Sequence, residues 1–131
     1  MNSKRGKIKS INMLILAHKN LEVYKISLRI VKEVYALTNA FPREERYGLI
    51  SQLKRAAISV CSNIAEGSSK SSRPDRRRFY EIARGSLVEM DTQLEAALLL
   101  EFADKGQLNE LEECMGSVFR MLSKMISNLA G

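Results

Sequence analysis

The chain has 131 residues, of which 45% are hydrophobic and 27% are charged. This length suits one domain with a single packed core, and the composition excludes a disordered chain and a low-complexity repeat. Lys and Arg residues number 21 against 15 Asp and Glu, a net charge of +6. Such a charge is compatible with an acidic partner, nucleic acid above all, but is too small to identify one.

The cysteines and the apolar runs predict a cytoplasmic protein that does not associate with membranes. Cys61 and Cys114 are too few for a disulfide framework and suit a reducing compartment. No apolar run approaches the roughly 18 residues that a membrane span needs.

Residues 1–19 are predicted to form an N-terminal arm outside the folded domain, which covers 20–131. The arm begins with four cations and continues as an apolar stretch over 11–17. This order imitates a signal peptide, but the apolar stretch is short, Asn12 interrupts it and no clear cleavage site follows. We expect instead a basic arm or an apolar strip that docks on a neighbouring subunit. The cations are Lys4, Arg5, Lys7 and Lys9.

Apolar residues then recur at intervals of three and four, which predicts two amphipathic helices in the first half of the chain. The first covers about 21–39, has an unusually wide apolar face and takes Asn20 as its N-cap. The second covers about 43–66, with Pro42 in its first turn and Gly67 as the residue that ends it.

Two more helices are predicted in the second half, over about 74–104 and about 108–129. Gly106 is expected to break the third helix, and the fourth shows the strict alternation of a coiled coil. No stretch alternates with a period of two, so no strand is expected. Short connections favour antiparallel neighbours. The predicted fold is all-α, an antiparallel up-down-up-down four-helix bundle.

The charge is distributed unevenly along this bundle. Residues 43–84 hold ten basic and five acidic residues, whereas residues 85–131 hold three basic and eight acidic residues. The predicted topology brings the second connection to the same end as the N-terminal arm, and we call this end the basic pole. Its hairpin cations are Lys70, Arg73, Arg76, Arg77 and Arg78. The opposite end is expected to be acidic, with Glu101, Asp104, Glu110, Glu112 and Glu113. The alternative interpretation is an ordinary solvated charge run.

A polar stripe runs beside the apolar face of the second and third helices. Its spacing predicts an ion pair between Arg55 and Glu89, and a close approach of the backbones where Gly85 faces Ala56. The stripe is either a network that sets the register of the helices or a groove for a partner. Its members are Gln52, Arg55, Ser59, Asn63 and Glu66 on the second helix, and Ser86, Glu89 and Gln93 on the third.

Three ordered motifs resemble the four-helix-bundle family that is called S23 ribosomal protein or 23S rRNA intervening-sequence protein. They run from Phe41 to Ser59 (FPxxExYGLxxQxxRAxxS), from Asn63 to Gly67 (NIAEG) and from Ala83 to Leu94 (AxGSxxExxTQL). The resemblance covers about 20–129 and implies a bacterial cytoplasmic protein that assembles into a ring-like homopentamer. A similar protein, the accessory variability determinant of diversity-generating retroelements, is a basic pentameric bundle that binds nucleic acid and a reverse transcriptase. The resemblance therefore implies fold and assembly firmly, and function only loosely.

The sequence carries no pattern typical of an enzyme, a metal site or a cofactor site. It has one histidine, His18, no Glu-x-x-His pair and no glycine-rich phosphate loop. We therefore expect a non-enzymatic homo-oligomer that binds RNA or DNA through the basic pole. Because only 6% of the residues are aromatic, this binding should have weak sequence specificity. The alternative is a scaffold that recruits a protein partner through its charged poles or apolar helix faces, without nucleic acid.

Overall fold

The computed structural model of the protein describes residues 14–130, so the predicted arm cations Lys4, Arg5, Lys7 and Lys9 lie outside the described residues. Four helices account for most of the chain: α1 (Glu22–Thr38), α2 (Leu49–Ser68), α3 (Arg73–Leu99) and α4 (Asn109–Leu129). Short 3₁₀ turns cover Ala17–Asn20, Arg43–Glu45 and Lys105–Leu108. The described part of the chain contains no strand, and the predicted all-α fold is confirmed.

Each helix packs against the helices next to it in sequence, and α4 closes the bundle against α1. The Lys54 ammonium lies 4.5 Å from the centre of the Tyr35 ring, which places the end of α1 beside the start of α2. The Arg73 guanidinium donates a 2.8 Å hydrogen bond to the Asn128 carbonyl, which places the start of α3 beside the end of α4. These contacts are those expected of an up-down-up-down bundle.

The core is a continuous apolar cluster to which all four helices contribute. Residues such as Ile30, Leu53, Met90 and Leu122 are fully excluded from solvent. Burial of this surface supplies the main stabilisation, at about 25 cal/mol for each Å² of apolar area.

The predicted N-cap of α1 and the predicted start of α2 are wrong. α1 begins after Leu21, and the Leu21 N–H closes the preceding 3₁₀ turn on the His18 carbonyl, so Asn20 is not the N-cap. α2 begins at Leu49 and not near residue 43 because Gly48, with φ −112° and ψ −111°, interrupts helical geometry. The Glu45 carboxylate accepts a 3.1 Å hydrogen bond from the Leu49 N–H and so satisfies one free donor at the start of α2.

The predicted helix ends also differ from the structure. α2 continues through Gly67 to Ser68, so Gly67 does not terminate it. α3 ends at Leu99, well before Gly106, which lies in the last 3₁₀ turn. The cause is Glu101, which adopts a left-handed conformation with φ +62°. No glycine in the sequence indicates this helix end. The prediction from apolar periodicity therefore placed the end of the third helix too late.

Candidate nucleic-acid interface

The hairpin between α2 and α3 is held rigidly by packing and hydrogen bonds. Ser68 Oγ and Tyr80 Oη share a 2.8 Å hydrogen bond across the two helices, and only 2% of Tyr80 is exposed. Ser72 Oγ accepts a 3.2 Å hydrogen bond from the Asp75 N–H, which caps the start of α3. These contacts fix the first turns of α3, which carry most of the predicted nucleic-acid-binding residues.

The structure brings the five hairpin cations together at this end of the bundle. Lys70 Nζ lies 3.3 Å from a Glu66 carboxylate oxygen, and Arg77 Nε lies 3.3 Å from a carboxylate oxygen of Glu81. Both pairs are partly exposed and contribute little stability. Arg73 is held by the α4 carbonyl described above.

Arg76 and Arg78 differ from these three cations. Within residues 14–130, no carboxylate forms an ion pair with either of them. The Arg78 guanidinium lies 4.6 Å from the centre of the Phe79 ring. Arg76 Nε is buried and has no hydrogen-bond acceptor in the described part of the protein. Guanidinium groups without a carboxylate partner leave this end of the bundle with an uncompensated positive charge.

A shallow cavity of about 530 Å³ opens at the same end, between the start of α3 and the end of α4. Its lining includes Arg73, Arg77, Arg78, Glu81 and Leu129. Three guanidinium groups against one carboxylate give this cavity a positive lining. Such a lining attracts an anion.

The opposite end of the bundle is electrostatically mixed and not simply acidic. Glu110 forms a 3.0 Å ion pair with Arg29, and Asp104 caps the adjacent 3₁₀ turn. The Phe41 and Phe102 rings pack 5.7 Å apart, which brings the connection after α1, with its Arg43 and Arg46, to this same end. Cations from that connection therefore share the end with the acidic residues.

Three residues of the polar stripe form a network across α2 and α3. Ser86 Oγ donates to Ser59 Oγ at 2.8 Å. The Asn63 amide donates to Ser59 Oγ at 3.0 Å and to the Ser59 carbonyl at 2.8 Å. Gln93 Oε1 is buried without a donor in the described chain. This part of the stripe sets the register of the two helices.

The predicted ion pair of Arg55 with Glu89 and the predicted close approach at Gly85 are wrong. Gln52, Arg55 and Glu89 are exposed, and Arg55 and Glu89 are not among the ion-paired residues of the described chain. An added Cβ at Gly85 would meet nothing within 4 Å. The reason is the register: Ser86 faces Ser59, so Gly85 points outward and does not bring the backbones together.

The comparisons with known proteins identify the family. The model of the 23S rRNA-intervening sequence protein family matches residues 19–124. The chain belongs to this family. A 1.70 Å crystal structure of a protein of unknown function from the S23 ribosomal protein family of Bacteroides thetaiotaomicron is similar in fold, with a TM-score of 0.68. It is 24% identical, and the match covers 79% of this chain and 97% of that one. None of the curated proteins matches the chain.

Sequence reasoning missed two residues that build the site. Phe79 lies between the cations of Lys70 and Arg78, at 5.3 Å and 4.6 Å from its ring centre. Tyr80 was not singled out, although its hydroxyl and ring hold the hairpin. The only available signal was two adjacent aromatic residues directly after the arginine run.

Among the described residues, the surroundings of His18 show no arrangement typical of a catalytic centre. His18 is buried with its ring edge-on to Tyr24, at 4.7 Å between ring centres. Burial, and then the neighbouring Lys19 charge, lower the pKa of His18. No group of three His, Cys, Asp or Glu side chains within residues 14–130 is placed to hold a metal ion, and no helix there is long and apolar enough to cross a membrane.

Proposed function

We propose that the protein is a non-enzymatic homo-oligomer of the bacterial cytoplasm that binds RNA or DNA through its basic pole. The resemblance to the S23 family supports a pentamer. The binding residues are the hairpin cations and, outside the described residues, the four cations of the N-terminal arm. Neither a cofactor nor a metal takes part in this function.

The observation that carries the proposal is the group of guanidinium ions at the start of α3. Arg76 and Arg78 lack a carboxylate partner in the described chain, and Arg76 Nε is buried without an acceptor. Arginine recognises phosphate through paired hydrogen bonds, and the positive end of a helix dipole favours an anion at the same place. A phosphate group at this place therefore meets guanidinium groups that no carboxylate of the described chain neutralises.

The same geometry supports weak sequence specificity. Two cations lie 5.3 Å and 4.6 Å from the centre of the Phe79 ring, and Tyr80 is buried, so both rings already take part in contacts within the chain. Phosphate contacts position a nucleic acid without reading its sequence. Binding should therefore depend on the backbone charge of the nucleic acid and fall steeply with salt.

Assembly amplifies a small basic patch. A ring of identical subunits places all the basic poles on one rim, where several weak phosphate contacts act on one nucleic-acid strand. Linked contacts of this kind raise the overall affinity by about 10²–10⁴ without any new contact.

The test is the binding of labelled RNA and DNA oligonucleotides, measured by fluorescence anisotropy between about 50 and 200 mM salt. The double variant Arg77→Glu and Arg78→Glu should bind at least about tenfold more weakly, with a salt slope lower by about two. The matched control is Arg43→Glu with Arg46→Glu, which makes the same change of charge at the opposite end of the bundle. Equal loss in both double variants would refute the basic pole as the site, because net charge alone would then explain the effect.

A scaffold that recruits a protein is the second candidate, because the outer face of α3 and α4 leaves Val88 55% and Phe119 41% exposed. This candidate predicts a purified protein whose ultraviolet absorbance ratio shows no nucleic acid. It also predicts that neither the native chain nor either double variant binds the oligonucleotides above background.

A further inference from the structure

A groove on the outer side of α3 and α4 is apolar at its base and acidic at its rim. The groove has a volume of about 500 Å³, within the range of pockets that hold organic ligands. The buried residues Leu94 and Met115 line its base, and Val88 and Phe119 line it with side chains open to solvent. Asp91, Glu95 and Glu112 line it together with a single cation, Arg120.

A second exposed apolar surface lies before α1. Leu14, Ile15 and Leu16 are 62%, 99% and 41% exposed, so they pack little against their own bundle. Ile8, Ile11 and Met13 precede them in the sequence, together with the four cations of the N-terminal arm. This segment is apolar and basic, and the groove is apolar and acidic, so the two surfaces are complementary in both hydropathy and charge.

We propose that residues 8–16 of one copy occupy the groove between α3 and α4 of a second copy. The apolar side chains of the segment pack on the base of the groove, and Lys7 and Lys9 lie near Asp91, Glu95 and Glu112. The inference rests on the homo-oligomer of the proposed function and reassigns Lys7 and Lys9 from nucleic acid to the groove. The hairpin cations, with Lys4 and Arg5, remain the contacts for nucleic acid.

The position of the segment argues for a second copy and against the same chain. The turn Ala17–Asn20 packs on α1 and α2, and this face of the bundle is opposite the groove. Helices about 10 Å wide and packed about 8–10 Å apart make the path around the bundle about 30 Å or longer. Leu14 lies beside the turn, because its carbonyl accepts a 2.7 Å hydrogen bond from Lys19 Nζ. The six Cα–Cα steps from Leu14 back to Ile8 span at most about 22 Å. Leu14, Ile15 and Leu16 lie nearer still to the turn and cannot reach their own groove.

This contact joins two different surfaces, the segment of one subunit and the groove of the next. A head-to-tail contact of this kind generates a closed ring when its rotation closes, and a filament when it does not. Such a contact is compatible with the ring of the proposed function and needs no two-fold symmetric interface.

Disulfide trapping tests the contact directly. Chains that carry Ile15→Cys and chains that carry Val88→Cys are co-expressed with different tags, oxidised and digested. We expect a linkage between positions 15 and 88 that joins the two tagged chains. The control pairs Ile15→Cys with Ile58→Cys, because Ile58 is a comparably exposed apolar residue on α2, outside the groove. The native Cys61 and Cys114 are buried and give little background. No excess of the 15–88 linkage over the 15–58 linkage overturns the proposal.

Light scattering of Ile15→Asp separates this inference from the proposed assembly. Because Ile15 is 99% exposed, the change leaves the bundle intact, and we expect loss of the oligomer to smaller species. Tyr47→Asp, at a residue that is 86% exposed in the connection before α2, is the control and keeps the oligomer. If the Ile15→Asp oligomer has the same mass as the native oligomer, the segment contact is refuted, whereas the proposed assembly is not. The same conclusion follows if the groove binds a different protein. A native chain that is monomeric at all concentrations refutes the assembly and the contact together.

Discussion

At the scale of single residues, Gly67 shows how a small side chain decides a helix contact. A Cβ at this position would lie 2.8 Å and 2.9 Å from two ring carbons of Tyr80. The ring cannot yield easily, because it is buried and its hydroxyl is hydrogen-bonded to Ser68. The glycine is thus retained inside α2 despite a helix-propensity cost of about 1 kcal/mol relative to alanine.

We therefore expect Gly67→Ala to lower the free energy of unfolding by about 1–3 kcal/mol, since the overpacking exceeds the gain in helix propensity. Gly85→Ala is the matched control, because this glycine also lies inside a helix but its Cβ would meet open space. That variant should be more stable by up to about 1 kcal/mol. Urea denaturation of both variants measures the difference, and a stabilised Gly67→Ala would contradict the close packing on Tyr80.

At the scale of the secondary-structure elements, the end of α3 is set by a backbone motif that carries no glycine. The Phe102 N–H donates to the Ala97 carbonyl at 2.9 Å, and the Glu101 N–H donates to the Leu98 carbonyl at 3.0 Å. This pair of bonds is the Schellman motif, whose left-handed position glycine normally occupies. Here Glu101 occupies it at φ +62°.

Glu101→Gly should raise the free energy of unfolding by about 1 kcal/mol, because glycine adopts a positive φ without steric cost. Glu101→Gln serves as the control, since it removes the charge near the negative end of the helix dipole and keeps the strained backbone. Thermal and urea unfolding of the two variants separate these effects. A Gln variant as stable as the Gly variant would show that charge, and not backbone conformation, limits this position.

At the scale of the whole molecule, the buried thiols link stability to pH. Burial raises the pKa values of Cys61 and Cys114 above their ordinary value of 9.0. Above about pH 9 the unfolded chain therefore loses thiol protons that the folded chain keeps. This contribution to stability is complete below the pKa of the unfolded thiol and is lost as the pH rises through the folded pKa.

We expect the free energy of unfolding to fall as the pH is raised above about 9, and the fall to be shallower in the double variant Cys61→Ala and Cys114→Ala. Burial also raises the pKa of Tyr24, which lowers the free energy of unfolding at still higher pH. This contribution is the same in the native chain and in the double variant. Urea titrations at a series of pH values provide the measurement. Equal slopes in the two proteins would contradict the burial of both thiols.

Much of the fold was predictable because helical periodicity is a local property. The intervals of three and four along 21–39 and 108–129 located α1 and α4 to within about a residue. The same reasoning misplaced the start of α2, where Gly48 breaks the helix, and the end of α3, where Glu101 takes a conformation that glycine usually adopts. Both errors come from backbone conformations that side-chain periodicity does not record.

The candidate site was predictable in part for the same reason. The arginine run from Arg76 to Arg78 is visible in the sequence, and its place beside the end of α4 follows from an antiparallel bundle. The partners of each cation were not predictable, since Glu66, Glu81 and the Asn128 carbonyl approach only through helix phase and side-chain reach. The predicted ion pair of Arg55 and Glu89 was wrong because a small error in the predicted register of α2 and α3 moves such side chains from the interface to solvent.

The net charge of +6, the four apolar stripes and the three motifs determined, by themselves, an all-α bundle of the intervening-sequence family with a basic hairpin. Only the tertiary structure decided which cations remain without a carboxylate, that Ser59 and Ser86 set the register, and that an apolar groove lies open between α3 and α4. The physical reason is the range of the interactions. Helix formation depends on neighbours three and four residues away, whereas ion pairing and grooves depend on contacts between helices that are far apart in the chain.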